Sequence, residues 1–421
     1  MVLLLSILQI ILLLAGLLLA VLVGYLLLLT LVAWWVSKRF QPESGPANRR
    51  FVILVPAHNE ERLLPDLLRN LGQLGYSKEL FTIHVVADNC TDQTAVVGRQ
   101  NGAVVHERFD AAQPGKGYAL QWLLQRLWAS GEPHDAVVIL DADTVVSANF
   151  LQAMSVRLAR GERVIQAYYA VRDPGRSWSV GLRYAALAVL HYLRPLGRTA
   201  LGGSAGLKGN GMVFAADVMR QNEWSASITE DIEFHMRLIL NGERVTFAPE
   251  AVIEAEMPET LAGAASQNVR WERGRMQMLR LYVPQLLRAA GRSVRQGRYR
   301  RAYLFIDAAM EHIIPPFSVL AALSGLFFLL AALALGLTGL LGGGPTAVVL
   351  AQINFWLAVG VILGQAVYLL SGLRMVHAPR SVYRALVNIP VFVTWKIWHY
   401  GRVLFGLDSH AWVRTARNDE V

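Results

Sequence analysis

Asp141 and Asp143 stand one residue apart at the end of the apolar run Val137-Val138-Ile139-Leu140. Two carboxylates at i and i+2 point the same way while a strand lasts and can converge where it turns, offering hard oxygen donors to a divalent cation and a phosphate. A lone Asp-x-Asp is weak, so its company matters. Asp88-Asn89 closes the run Phe81 to Ala87, and His58-Asn59-Glu60 closes the run Phe51 to Pro56. Asp88 suits a donor from a nucleobase or ribose; alternatively it caps a helix from Thr91 onward. Lys116, in Pro114-Gly115-Lys116-Gly117 at a helix start, is placed to meet an anion, unless it is a solvated loop lysine. Thr229-Glu230-Asp231 opens a helix reaching Leu240. Acids there stabilise a helix N-terminus, and Asp231 could equally take a proton from an attacking hydroxyl. Gln267, Arg270 and Trp271 are spaced three and four apart, hence on one helical face. Arginine suits a leaving diphosphate and tryptophan a sugar ring, the alternative being an incidental pair on a membrane-proximal helix.

The elements that must position these groups alternate between strand and helix. Phe51 to Pro56, Phe81 to Ala87, Ala103 to His106 and Ala136 to Leu140 read as strands. Glu61 to Leu74, with leucines at 63, 64, 67, 68, 71 and 74, reads as a helix, as do Thr91 to Gln100 and Gly117 to Ser130. Such alternation implies right-handed crossovers, a mostly parallel sheet and ligands bound beyond the carboxyl ends of its strands. Three strand ends carrying polar groups on one edge form a pocket able to take a base, a ribose and a metal-bridged diphosphate.

The chain has 421 residues, of which 54% are hydrophobic and only 17% charged, too apolar for one soluble globule. Val2 to Val36 is free of charge, and Trp34, Trp35, Lys38, Arg39, Arg49 and Arg50 follow as an aromatic belt and basic flank. Its length and lack of a basic start predict a retained anchor, either one long helix or a tight hairpin. Two more uncharged runs, Phe317 to Leu341 and Thr346 to Leu373, are joined by Gly342-Gly343-Gly344-Pro345. Six arginines from Arg288 to Arg301 precede them, and Arg374, Arg380 and Arg384 follow, so the positive-inside rule predicts a cytoplasmic central domain. Ala385 to Phe405, with Pro390, Lys396, His399 and Arg402 among its apolar residues, suits an interfacial amphipathic helix, with a third C-terminal span as the rival. The net charge of +9 lies mostly beside these segments, pointing to anionic lipid headgroups and not to nucleic acid. The single cysteine, Cys90, excludes an intramolecular disulfide and a Cys-based zinc site.

Taken in order, Val55-Pro56-Ala57-His58-Asn59-Glu60-Glu61, Asp88, Asp141 with Asp143, Thr229-Glu230-Asp231 and Gln267 to Trp271 resemble the signatures of the inverting family 2 glycosyltransferases. The resemblance is to the membrane branch that holds cellulose, chitin and hyaluronan synthases and ceramide glucosyltransferase. It implies an α/β GT-A fold, Rossmann-like with a mostly parallel sheet, flanked by transmembrane and interfacial helices. It implies a nucleotide-sugar donor, UDP-linked, lined by Pro56, Ala57, Glu60, Asp88, Lys116, Asp141, Ala142 and Asp143. Mg2+ or Mn2+ would bind at Asp141 and Asp143, and Asp231 would be the catalytic base. Gly209 and Gly211, in a stretch resembling the family's small-residue acceptor loop, join Glu230, Gln267, Arg270 and Trp271 at the acceptor and pyrophosphate end. Trp412-Val413-Arg414-Thr415-Ala416-Arg417 resembles a tail of many members.

The expected layout is a membrane anchor over 1–37, a cytoplasmic GT-A domain over 48–285, a basic juxtamembrane and interfacial segment over 286–316, two transmembrane helices within 317–373, an interfacial helix over 385–406 and a cytoplasmic tail over 407–421. The expected setting is a bacterial-type inner or plasma membrane. The acceptor is a glycan or a lipid, and no motif names a protein partner. A synthase extending an exported polysaccharide leads, with Gln352, Asn354 and Gln365 as a path for the glycan or as interhelical glue. A transferase making a glycolipid comes second. An idle scaffold binding nucleotide or glycan is the reading from another class, and the charged groups kept at the sheet edge argue against it.

Overall fold

A computed structural model describes residues 2–405 apart from 43, 226 and 228. The resemblance at Trp412 to Arg417 lies outside the described residues. The chain forms two compact units, one made of residues 2–38, 175–197 and 313–405, the other of 39–174 and 198–312.

In the second unit eight strands build one sheet: β1 Phe51–Ala57, β2 Phe81–Asp88, β3 Val104–Arg108, β4 Ala136–Ile139, β5 Thr144–Val146, β6 Val164–Val171, β7 Met212–Ala215 and β8 Thr246–Ala255. Their order is β3-β2-β1-β4-β7-β6-β8-β5. The first four are parallel throughout, with Ala57 opposite Ala87 and Leu54 opposite Ile139, so their carboxyl ends share one edge as expected. Beyond β4 the sheet is mixed. β7 runs antiparallel to both β4 and β6, β8 is parallel to β6, and β5 is antiparallel to β8.

The helix expected over 61–74 is Leu64–Gly72, with Leu64, Leu67, Leu68 and Leu71 buried against the sheet and Pro65 in its first turn. It starts late because the residues before it serve another loop. Glu60 N–H donates to Thr94 Oγ1 at 2.8 Å, and the Glu61 carboxylate accepts from Gln93 N–H at 2.8 Å. That same loop shortens the helix expected from Thr91, which begins at Thr94.

A second core joins Met236 and Ile239 to Val283, Leu286, Leu304 and Phe305. Here the expected boundary at 285 falls inside a continuous helix, Ala265–Arg295, and the helix Tyr299–Ile313 belongs to the same unit as far as His312. The run of arginines reads as a basic juxtamembrane and interfacial segment, but the other face of these helices carries Val283, Leu286, Ala289, Leu304, Phe305 and Ala308, which share a core with Met236 and Ile239 of the helix Glu230–Asn241.

The first unit holds three helices long and apolar enough to cross a membrane: Leu3–Ser37, Phe317–Leu340 and Pro345–Met375. The N-terminal segment is one helix and not a hairpin. It packs on the other two, and their buried polar groups pair with each other. Gln9 Nε2 donates to Thr338 Oγ1 at 3.2 Å, Asn354 Nδ2 donates to Gln9 Oε1 at 2.8 Å, and Gln365 Nε2 donates to Ser324 Oγ at 2.5 Å. The helix Trp178–Ala188, begun by a Ser177 side chain that accepts from Val180 N–H, belongs to this unit although its sequence lies within the expected catalytic domain. After the short helix Arg380–Ala385, Ile389–Leu404 has 16 residues, fewer than the ~20 a span needs.

Candidate active site

The carboxyl end of β4 turns at once. Asp141 C=O accepts from Thr144 N–H at 3.2 Å, which places Asp141, buried Ala142 and half-buried Asp143 in the turn between β4 and β5. Asp141 N–H donates to Asn210 Oδ1 at 3.1 Å, and Asn210 Nδ2 donates to Thr144 Oγ1 at 2.8 Å, so one buried asparagine pins both sides of the turn. Lys116 opens the helix Lys116–Ser130, and its ammonium reaches Asp141 Oδ1 and the Gly209 carbonyl, each at 2.5 Å. Lys116 is therefore a partner of the strand-end carboxylate and not a solvated lysine.

Glu230 and Asp231 form the first turn of Glu230–Asn241 on the other side of Lys116. Burial pushes the Glu230 carboxyl up to about 7, with Asp231 adding to the shift and Lys116 opposing it. Burial also raises the Asp231 carboxyl, against the pull of Lys116 and Lys208. Burial works against the charge on Lys116, yet Asp141, Glu230 and Asp231 outweigh it and hold the ammonium above the ordinary lysine value. The site is a cation ringed by three carboxylates, two of them reluctant to ionise.

A carboxyl raised to about 7 holds its proton in the fold at a pH where the unfolded chain, at about 4.5, has lost it. Its contribution to stability is present below the unfolded value and lost as pH rises through 7. Glu230→Gln is therefore expected to raise Tm increasingly from pH 5 to pH 7 and by a constant amount above it, read by thermal unfolding at a series of pH values.

Gly209 has left-handed backbone, φ 78°, and a Cβ there would lie 3.3 Å from Asp231 Oδ2. Gly209→Ala is expected to cost about 1–2 kcal/mol from the backbone alone and to reduce transfer more than stability, since the new methyl crowds the Asp231 carboxylate. Parallel denaturation and activity assays separate the two. Gly211 serves through its backbone, donating to Ile139 C=O at 3.0 Å and accepting from Ala167 N–H at 2.9 Å.

Asp88 does not cap the following helix, and the Thr94 N–H at its start donates to Asp92 Oδ1 at 3.0 Å. Instead Asp88, 4% exposed, pairs with Arg108, 5% exposed, at 2.6 Å, while its second oxygen accepts from Gly115 N–H at 3.3 Å. The carboxylate thus holds the loop that delivers Lys116. Asn59 and Asn89 adopt left-handed backbone, tolerated by Asn, and tie the neighbouring loops: Asn59 Oδ1 accepts from Thr91 N–H and Asn89 Oδ1 from Asp110 N–H, both at 2.8 Å. Pro56 and Ala57 are the last residues of β1.

Gln267, Arg270 and Trp271 lie in the first two turns of Ala265–Arg295, with Trp271 41% exposed. Gly274 continues their face at i+7 from Gln267 and packs so closely on Thr229 that a Cβ would meet its Cγ2 at 1.9 Å. That face is thereby turned toward the start of Glu230–Asn241.

Arg108, Asn210 and Gln166 went unmarked as functional in the sequence. Gln166 is the one polar residue of β6, Val-Ile-Gln-Ala-Tyr-Tyr-Ala-Val, apart from its tyrosine hydroxyls, and buried Gln in an apolar strand is itself a signal. Its Nε2 donates to Asn210 C=O at 2.8 Å and its Oε1 accepts from Lys208 N–H at 2.9 Å.

Asp141 and Asp143 offer a divalent cation two hard oxygen donors. Among the described residues no group of three His, Cys, Asp or Glu is gathered closely enough to hold a metal alone. The donor set fits an ion that completes its shell with water and substrate phosphate, as Mg2+ does.

A sequence profile for the family described as glycosyltransferase like family 2 matches residues 47–274, just over half of the 421. Beta-monoglucosyldiacylglycerol synthase of Nostoc sp. is 28% identical over 232 residues, covering 53% of this chain and 48% of that protein. Poly-beta-1,6-N-acetyl-D-glucosamine synthase of Staphylococcus aureus is 26% identical over 236 residues, 54% of each. The chain thus matches about half the length of these curated relatives. A solved structure of a mannosyltransferase from Pyrobaculum calidifontis, in complex with GDP-Man and Mn2+, aligns at TM-score 0.49 and 18% identity over 87% of this chain and 97% of that one, too loosely to argue from. The fold is GT-A-like, with a mixed eight-stranded sheet, the chain also carries helices apolar enough to span a membrane, and it belongs to the glycosyltransferase-like family 2.

Proposed function

We propose that this chain is a membrane glycosyltransferase that moves a sugar from a UDP-linked donor, with inversion, to a hydroxyl presented at the cytoplasmic face of the bilayer. The observation that carries this reading is the convergence of Lys116 on Asp141 and Gly209, with Glu230 and Asp231 about it. Asp231 takes the proton from the acceptor hydroxyl. The acceptor oxygen then bonds to the anomeric carbon from the face opposite the diphosphate, and the nucleoside diphosphate leaves with the electron pair of the broken C–O bond. Lys116, at a helix N-terminus, and Arg270 meet the charge that develops there. Mg2+ or Mn2+ held by Asp141 and Asp143 would offset more of it. Asp88 and Arg108 hold the loop that carries Lys116 at the nucleoside end, and Gln267 and Trp271 meet the sugar and acceptor.

A chelator is expected to abolish donor binding measured by ligand-induced thermal protection, with recovery on adding Mn2+. Indifference to chelation would count against Asp141 and Asp143 as ligands.

For the acceptor, a lipid is favoured over a growing polysaccharide. A glycan path through the spans would need polar groups facing it, but of the three candidates Asn354 and Gln365 are buried and bonded to Gln9 and Ser324, and only Gln352 is exposed. The polysaccharide reading is kept by the similarity to a poly-N-acetylglucosamine synthase. Membranes incubated with labelled nucleotide-sugars and then sized separate the two. A single lipid-extractable adduct is expected, and a ladder or high polymer would transfer the assignment to the second reading.

A further inference from the structure

Two carboxylates outside this chemistry, buried Asp307 and partly buried Glu311, lie one turn apart on Tyr299–Ile313. Arg198, itself 1% exposed, donates from Nε to the two Asp307 oxygens at 3.0 and 3.1 Å and from Nη2 to Oδ2 at 2.8 Å, and it also bonds Glu311. Glu311 Oε1 in turn holds Lys208 Nζ at 2.9 Å. Buried charges are costly to desolvate, and here all four converge on one irregular segment, residues 203–211.

That segment is fixed along its length. Ser204 N–H donates to Asp307 Oδ2 at 3.0 Å, and a Cβ on Gly206, whose φ is 80°, would lie 3.0 Å from both Glu311 carboxylate oxygens. Lys208 N–H and Asn210 C=O are both held by Gln166, while Gly209 C=O accepts from Lys116 and its Cα backs the Asp231 carboxylate. The contacts thus run from Arg198 through Asp307, Glu311 and Lys208 along this segment to Gly209, where an added Cβ would lie 3.3 Å from Asp231 Oδ2.

Building on the proposed transfer reaction, we infer that Lys208 and Glu311 are positioning residues: their ion pair, anchored by Arg198 and Asp307, fixes the 203–211 segment against Asp231 and sets the electric field felt by that carboxylate. The charged groups facing Asp231 are Lys116 from the helix Lys116–Ser130, Lys208 from the segment and Glu230 beside it, with Asp141 behind Lys116 and Glu311 behind Lys208. The nearby histidines do not confuse the field, because burial holds His235 down at about 3 and His312 at about 4, neutral through the working range.

The two halves of the pair have opposite electrostatic effects, and the test uses that. Lys208→Met removes a cation beside Asp231, so the acidic limb of the kcat profile moves to higher pH and kcat falls by about 10²-fold from the loosened segment. Glu311→Gln leaves Lys208 uncompensated, so kcat falls too but the limb moves to lower pH. Lys208→Arg keeps the limb where the wild type has it. The assays use the full chain in nanodiscs, with thermal protection by UDP-sugar in each variant establishing that the fold and donor site persist. The wild-type profile tests the transfer reading itself, and only the displacement of the variants from it tests the pair. Limbs that stay in place in both variants, or that move the same way, overturn the inference and leave a merely structural network.

Discussion

Asp231→Asn is expected to lower kcat by about 10²–10⁴-fold, the usual worth of a positioned general base, while donor binding stays as in the wild type. The asparagine keeps the shape and the hydrogen bonds of the first turn of Glu230–Asn241 but cannot accept a proton. The neighbouring Glu230 carboxyl is pushed up to about 7 by burial and by Asp231 itself. Removing the Asp231 charge lowers the Glu230 value, and the variant should lose the acidic limb that Asp231 sets in the wild type. Thermal protection by UDP-sugar reads donor binding independently of turnover. Normal turnover by the asparagine variant, with donor bound, would remove Asp231 from the role of base.

Arg108→Met is expected to destabilise the fold by about 3–5 kcal/mol, because it leaves the buried Asp88 carboxylate without its partner. Both side chains are almost wholly enclosed and meet at 2.6 Å. The loss should be partly repaired by Asp88→Leu in the same chain, as pairing two apolar residues removes the uncompensated charge. Activity should not return with stability. The Gly115 N–H then loses its acceptor and the loop carrying Lys116 its anchor. Denaturant unfolding of the single and double variants, with transfer assayed in parallel, distinguishes this from a purely structural pair, for which activity would recover as well.

The strand ends were legible because each apolar run stops at a polar residue, and a parallel sheet puts such stops on one edge. Glu60, Asp88 and Asp141 could therefore be read as facing one edge, while Glu230 and Asp231, at a helix start, were joined to them only by the family resemblance. The return half of the sheet was not legible: Met212–Ala215 and Thr144–Val146 are four and three residues long, and their antiparallel pairing is decided by partners far along the chain. Arg108 was hidden for a related reason. It lies two residues beyond the strand expected over Ala103 to His106, and only the register that sets it opposite Asp88 reveals the ion pair. The arginines from 288 to 301 misled the boundary because charge on one face of a helix says nothing about the opposite face, where Leu286, Ala289 and Ala290 are buried. The 203–211 segment has small residues and no period at all, so its fixation by Asp307 and Glu311 is purely tertiary.

The claim that this strand-edge pocket moves sugar by single displacement is tested most directly by the linkage it makes. Purified full-length protein in nanodiscs would be given an α-linked UDP-sugar and membrane lipid, and the anomeric configuration of the product read from its NMR coupling. A β-linked product that depends on Asp231 is the expected result, and an α linkage, or no transfer from any nucleotide-sugar, would contradict it.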